Sequence, residues 1–86
     1  MISIEKFQDQ VWEIEGIRLI IRGSQNDQVG EYSYPSTVDD NWSVDEWLKY
    51  RVLDCIGEYE VVVIQSDGVN AHGSTPIRNV RWSRKL

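Results

Sequence analysis

The sequence contains few of the residues that catalytic and metal sites most often use. Its 86 residues include one histidine, His72, and one cysteine, Cys55. A structural zinc site usually takes four nitrogen or sulfur ligands, which one His and one Cys cannot supply. A single cysteine also excludes an intramolecular disulfide, which is typical of proteins from reducing compartments. We therefore expect a cytoplasmic protein whose fold depends on its core alone.

Long apolar runs and low-complexity segments are also missing. No run has the length that a signal peptide or a membrane-spanning helix needs, so nothing directs the chain to a membrane. Hydrophobic residues nevertheless make up 41% of the chain, with four Trp and four Tyr, which is too apolar and aromatic for a disordered protein. A chain of 86 residues has room for one core, so a single domain over residues 1–86 is expected.

Charge is distributed unevenly along the chain. Residues 1–67 hold all fourteen acidic residues and five basic ones, whereas residues 68–86 hold four basic residues and none that is acidic. The two parts therefore carry formal charges of −9 and +4. Charge of this kind governs partners and association rates and says little about fold.

A helix is predicted from Val44 to about Ile56. Ser43 and Glu46 have the spacing of a capping box, in which each side chain accepts a hydrogen bond from the other residue's backbone N–H. Gly57 lies where a left-handed C-terminal cap is favoured. One apolar stripe follows the helical period and predicts the buried side: Val44, Trp47, Leu48, Val52, Cys55 and Ile56.

Residues 11–15 and 17–22 are predicted to form a β-hairpin around the turn Glu15-Gly16, since glycine tolerates positive φ. In this register the apolar residues Trp12, Ile14, Ile17 and Leu19 share one face. On the other face, opposite charges pair across the ladder: Glu13 with Arg18, and Asp9 with Arg22.

The remaining strand signals complete the predicted fold. Residues 58–65 contain a β-branched run typical of a buried central strand, and residues 77–84 follow Pro76 as a last strand. Residues 23–41 are too long for an ordinary connection, and the alternation around Tyr32 leaves open a short extra edge strand at 31–34. The predicted fold class is α+β, a small ββαββ domain with one helix packed on a four-stranded sheet. Its order of elements, and nothing more, is comparable to the β-grasp fold.

No residue pattern predicts catalysis. His72 lies in a polar loop without a recognisable nucleophile beside it, and Cys55 belongs to the apolar stripe, where cysteine acts as a small hydrophobe. Asp39, Asp40 and Asp45 are without the glycine and the terminal glutamate of a calcium loop. We therefore expect a protein that is not an enzyme and that uses neither a metal nor a cofactor.

The acidic helix and the aromatic loop before it predict a protein-binding surface. Within residues 39–60, seven acidic residues outnumber Lys49 and Arg51. Such a patch suits a basic partner surface, including the nucleic-acid groove of another protein, where carboxylates would occupy phosphate positions. A solvated face of a well-capped helix explains the same charges. The predicted contact residues are Tyr32, Tyr34, Asp39, Asp40, Trp42, Asp45, Glu46 and Lys49.

Two functions are compatible with these features. The first is a small acidic inhibitor, of the type that phages encode, which occludes a nucleic-acid-binding protein. The alternative is an accessory subunit or a homodimer that uses an apolar sheet face, onto which the predicted register directs Val11 and Ile20. Direct nucleic-acid binding is disfavoured because the net charge is −5. This leaves the role of four basic residues near the C-terminus open: Arg78, Arg81, Arg84 and Lys85.

Overall fold

The structure is a computed structural model that describes residues 1–65 and 67–82. The elements of this part of the chain make a small α+β fold with two two-stranded antiparallel sheets. None of the described helices is long and apolar enough to cross a membrane. The elements follow in this order: β1 (Ile2–Ser3), α1 (Ile4–Glu15), β2 (Arg18–Arg22), β3 (Gln28–Val29), α2 (44–56), β4 (Glu60–Ile64) and α3 (Ile77–Val80).

Helix α1 occupies the place of the first hairpin strand, so the strand prediction for residues 11–15 was wrong. The Ser3 side chain accepts a hydrogen bond from the N–H of Lys6 (3.2 Å) and caps the helix. Gly16 does adopt a positive φ, 70°, but as the C-terminal cap of α1. The buried side chains of α1 recur at helical spacing: Ile4, Phe7, Val11 and Glu15.

Strand β2 was predicted correctly, but its partner is β4. The ladder runs antiparallel from the pair Arg18 and Ile64 to the pair Arg22 and Glu60. The predicted charge pairs across a hairpin do not form, and Arg22 Nε instead lies 3.2 Å from Glu60 Oε1. A helix offers no edge for ladder hydrogen bonds, so the β-branched residues of β4 take that place.

The described residues form two two-stranded sheets and not the predicted four-stranded sheet. Strand β1 pairs with β3 in a separate sheet, through Ile2 with Val29 and Ser3 with Gln28. Strand β4, predicted to be central, pairs along its length with β2. At its other edge, the described residues form an isolated bridge from Ile64 to Asn70 and no further strand. With α1 helical, the described residues supply two strands to each sheet.

Two other strand predictions fail in the described residues. Residues 31–34 form no ladder, because the N–H of Tyr32 donates to Gln10 Oε1 (2.9 Å) and holds the segment against α1. The strand predicted for residues 77–84 begins instead as the helical turn α3. Proline tolerates the position before a helix, where its missing N–H costs no hydrogen bond. Arg81 bridges Ile17, and residues 83–84 lie outside the described residues.

Helix α2 begins and ends where the sequence predicts. Ser43 Oγ accepts a hydrogen bond from the N–H of Glu46 (3.2 Å), and Glu46 Oε1 accepts one from the N–H of Ser43 (3.0 Å). Gly57 ends the helix with a φ of 72° and a ψ of −125°, so its φ is positive but it does not adopt the predicted left-handed cap conformation. The predicted stripe faces the core. The helix consists of three consecutive segments: Val44–Trp47, a wider π-type turn at Leu48–Val52, and Leu53–Ile56.

The core lies between α1, α2 and the inner side of the β2–β4 ribbon. Tyr32, from the long connection, packs edge to face against Phe7 (ring centroids 5.8 Å apart) and against Trp47 (6.4 Å). Leu19, Ile21 and Val63 close the core from the ribbon side. The connection over residues 23–41 therefore fills the space between the two helices.

Candidate protein-binding site

A buried ionic network fixes α2 and the long connection to the end of α1. Among the described residues, Glu15 is the one charged residue that is buried. Its Oε1 lies 2.9 Å from Arg81 Nη2 and accepts a hydrogen bond from the N–H of Val38 (2.9 Å). Its Oε2 lies 3.0 Å from Arg51 Nη1 and accepts a hydrogen bond from the hydroxyl of Tyr32. Charge-assisted bonds of this type hold their partners in a defined geometry.

Tyr32, one of the predicted contact residues, belongs to this network and not to the surface. The residue is 1% exposed, and its hydroxyl also accepts a hydrogen bond from Trp47 Nε1 (2.8 Å). Burial raises the pKa of Tyr32, and the hydrogen bond to Glu15 raises it further. No direct contact of Tyr32 with a partner is therefore available in this fold.

Three other predicted contact residues of the connection bond to their own chain. The Tyr34 ring is half-buried under the guanidinium of Arg51, whose Cζ lies 4.5 Å from the ring centroid. Asp39 Oδ1 accepts a hydrogen bond from the N–H of Asn41 (2.8 Å), and Asp40 pairs with Arg81. These interactions order the connection.

The remaining predicted contact residues meet on the outer side of α2. Trp42 is half-buried, and its ring centroid lies 5.7 Å from that of Tyr50. Lys49 Nζ lies 5.5 Å from the centre of the Tyr50 ring. Glu46 is exposed about one helical turn before Tyr50. We call this surface the helix face: Trp42, Glu46, Lys49, Tyr50 and Leu53. Asp45 lies at its flank, where its N–H donates to the carbonyl of Gly73 (2.9 Å).

The prediction included Trp42 but missed Tyr50 and Leu53, the two exposed apolar residues of the helix face. Tyr50 is 58% exposed and Leu53 is 41% exposed. Both lie outside the apolar stripe by helical spacing, so the signal was present as an aromatic and a leucine on the polar side of an amphipathic helix.

The acidic residues in and near α2 differ in whether they form ion pairs. Asp45, Asp54 and Glu58 are exposed and form no ion pair with another described residue. Glu46 is engaged in the capping box, and Glu60 pairs with Arg22. Pairing with arginine therefore reduces the negative field near α2 at Asp40 and Glu60, whereas Glu46 keeps its charge.

The residues considered for catalysis are His72 and Cys55. His72 is exposed. Cys55 is half-buried, its Sγ lies 3.4 Å from the carbonyl oxygen of Glu31, and burial raises the pKa of its thiol. A raised pKa keeps a thiol protonated and weakly nucleophilic. Among residues 1–65 and 67–82, no group of three His, Cys, Asp or Glu side chains is placed to hold a metal ion.

Comparison with protein families, curated proteins and solved structures finds no match to this chain. Function is therefore inferred from the chemistry of the surface.

Proposed function

We propose that this chain is a non-enzymatic protein-binding module that docks through the helix face. The observation that carries the proposal is the exposure of Tyr50 (58%) and Leu53 (41%) beside Trp42 on one side of α2. Aromatic side chains bordered by charge are typical of the residues that dominate binding energy at interfaces. The capping box and the Glu15 network hold α2 in place before binding, which lowers the entropy cost of association.

The chemistry around the helix face favours a partner with a basic surface. Asp45, Asp54 and Glu58 are exposed and form no ion pair with another described residue, and the net charge of −5 attracts a basic partner over a distance. Proteins that bind nucleic acids present basic grooves of this kind. In its sharpest form, the proposal is that the module acts as an inhibitor that occludes the groove of a nucleic-acid-binding protein.

Affinity capture from a lysate of the native host tests the proposal when three versions of the protein are compared. Wild type and the double variant Tyr50→Ala/Leu53→Ala are immobilised beside the control Ile20→Ala/Val62→Ala, which removes apolar side chains from the sheet. We expect wild type to capture a partner that moderate salt releases. The control should capture a similar amount of this partner, and the helix-face variant should capture about tenfold less or even less than that. Mass spectrometry then identifies the partner as a nucleic-acid-binding protein or as another class.

The same proteins bound equally by all three versions would contradict a role for the helix face. A partner of another class, lost only by the helix-face variant, would support docking and eliminate the inhibitor form.

Neutralising the flanking carboxylates is expected to slow association without affecting the fold. We choose Asp45→Asn/Asp54→Asn, because changing Glu46 would also remove the capping box. The association rate with the captured partner should fall several-fold at low salt, and the difference should vanish at high salt. Surface plasmon resonance measures the association rate at low and at high salt. Glu5→Gln, on α1, is the control. An unchanged association rate would eliminate electrostatic docking at these positions.

A further inference from the structure

The β2–β4 ribbon has an outer side that differs from its core side. Because side chains alternate along a strand, the residues that flank Leu19 and Ile21 point away from the core. We call this surface the ribbon face: Arg18, Ile20, Arg22, Glu60, Val62 and Ile64. An antiparallel ribbon with one solvated side normally carries polar residues there, but this face is apolar at its centre.

The described residues leave the centre of the ribbon face open. Ile20 is 48% exposed and lies directly across the ladder from Val62, which is half-buried. At one end, Arg22 and Glu60 pair at 3.2 Å, with 63% and 73% of their side chains exposed. At the other end, Arg18 is held between Trp12 and Trp82, with its Cζ 4.8 Å and 5.0 Å from the two ring centroids.

We propose that the ribbon face is a self-association surface on which a second copy of this chain stacks face to face. A two-fold axis parallel to the strands places each strand over the opposite strand of the partner copy. Ile20 then meets the partner's Val62, and Arg22 meets the partner's Glu60. Every contact occurs twice, as an isologous interface requires.

The charges of the ribbon face select this axis and this occupant. A two-fold axis across the strands would place Arg18 over the partner's Arg22, and like charges at an interface are costly. With the axis parallel to the strands, Arg22 of each copy faces Glu60 of the other copy, so opposite charges meet twice. The pair of Arg22 and Glu60 is therefore complementary to itself, a property that another copy of the chain satisfies without any further partner.

The size of the ribbon predicts weak, concentration-dependent association. Five residues of strand span about 17 Å, so the ribbon alone falls short of the roughly 1,200 Å² that stable interfaces bury in total. Trp12 and Trp82 extend the surface at the Arg18 end. This interface lies outside the helix face, so it can form whether or not the proposed partner binds.

Sedimentation equilibrium over a series of protein concentrations tests the proposal with a matched pair of variants. Ile20→Glu and Leu53→Glu each place a charge at an exposed apolar position, one on the ribbon face and one on the helix face. We expect wild type and Leu53→Glu to share one monomer–dimer equilibrium, and Ile20→Glu to weaken it at least about tenfold. A wild type that is monomeric up to its solubility limit would overturn the proposal, as would a dimer that only Leu53→Glu disrupts.

Charge reversal tests the two-fold axis. Arg22→Glu alone gives a copy with two acids at this end, and Glu60→Arg alone gives a copy with two arginines. Each variant alone should dimerise at least about tenfold more weakly than wild type, whereas an equimolar mixture should form a heterodimer. Circular dichroism of each variant confirms that the fold is retained. A mixture that associates no better than its components would overturn this geometry.

Discussion

Replacement of Glu15 with glutamine is expected to lower the free energy of unfolding by about 3 kcal/mol. The substitution preserves shape but removes the charge that Arg51 and Arg81 share inside the protein. Removing one partner of a buried ion pair destabilises the protein by more than the intact pair stabilises it, because the remaining charges stay buried without a partner. The arginine side chains are 18% and 23% exposed, which holds the expected loss at the lower end of the usual range.

Urea unfolding followed by circular dichroism measures this loss. Glu13→Gln is the matched control, because Glu13 lies on the exposed side of the same helix and forms no ion pair with another described residue. The control should change stability by less than about 0.5 kcal/mol. If the two variants unfold at the same urea concentration, the network around Glu15 does not hold the fold together.

Removal of the Tyr32 hydroxyl is expected to lower the free energy of unfolding by about 2 kcal/mol. In Tyr32→Phe, Trp47 Nε1 loses its acceptor and Glu15 loses a donor, and both groups are buried. Tyr34→Phe is the control, because the Tyr34 hydroxyl makes one long hydrogen bond, 3.4 Å, to the carbonyl oxygen of Arg51. Tyr34 is also half-buried, so its hydroxyl is less costly to remove. An equal loss from both variants would show that Tyr32 contributes no more than a half-buried tyrosine does.

The pH dependence of stability gives Tyr32 a second signature. Burial raises the pKa of Tyr32 above its ordinary value of 10.0, so the unfolded chain loses this proton first as pH rises. The corresponding stabilisation is complete below about pH 10 and declines above it. Tyr32→Phe should show a weaker alkaline decline than wild type. Tyr34, Tyr59 and Cys55, whose pKa values are also raised, contribute to the alkaline decline in the same direction.

The buried network also holds the helix that carries the proposed docking surface. Arg51 projects from α2 to Glu15, and Ser36 adds its carbonyl oxygen to the same guanidinium group at 2.8 Å. The helix that displays Tyr50 is thus tied to α1 and to the long connection. Loss of Glu15 is therefore expected to loosen the helix face as well as the fold.

Local chemistry explains which elements the sequence predicts well. Helix α2 carries its own start and stop signals in Ser43, Glu46 and Gly57, and β4 is a β-branched run. Both depend on residues that are close along the chain. Local helix signals were also present for α1, namely the Ser3 cap and the helical spacing of Ile4, Phe7 and Val11. However, the opposite charges on either side of Gly16 also suited a hairpin. A glycine with positive φ serves either structure, so the local pattern was ambiguous.

By itself, the sequence determined a small α+β chain with a capped acidic helix, two of its strands and the position of Lys49 on the exposed side of that helix. Only the tertiary structure decided that β2 pairs with β4, that Tyr32 lies inside, and that Ile20 stays open. These outcomes depend on contacts between distant residues, such as Glu15 with Arg81, 66 positions apart. Burial energy selects such contacts after the elements meet, and no local period or spacing encodes them.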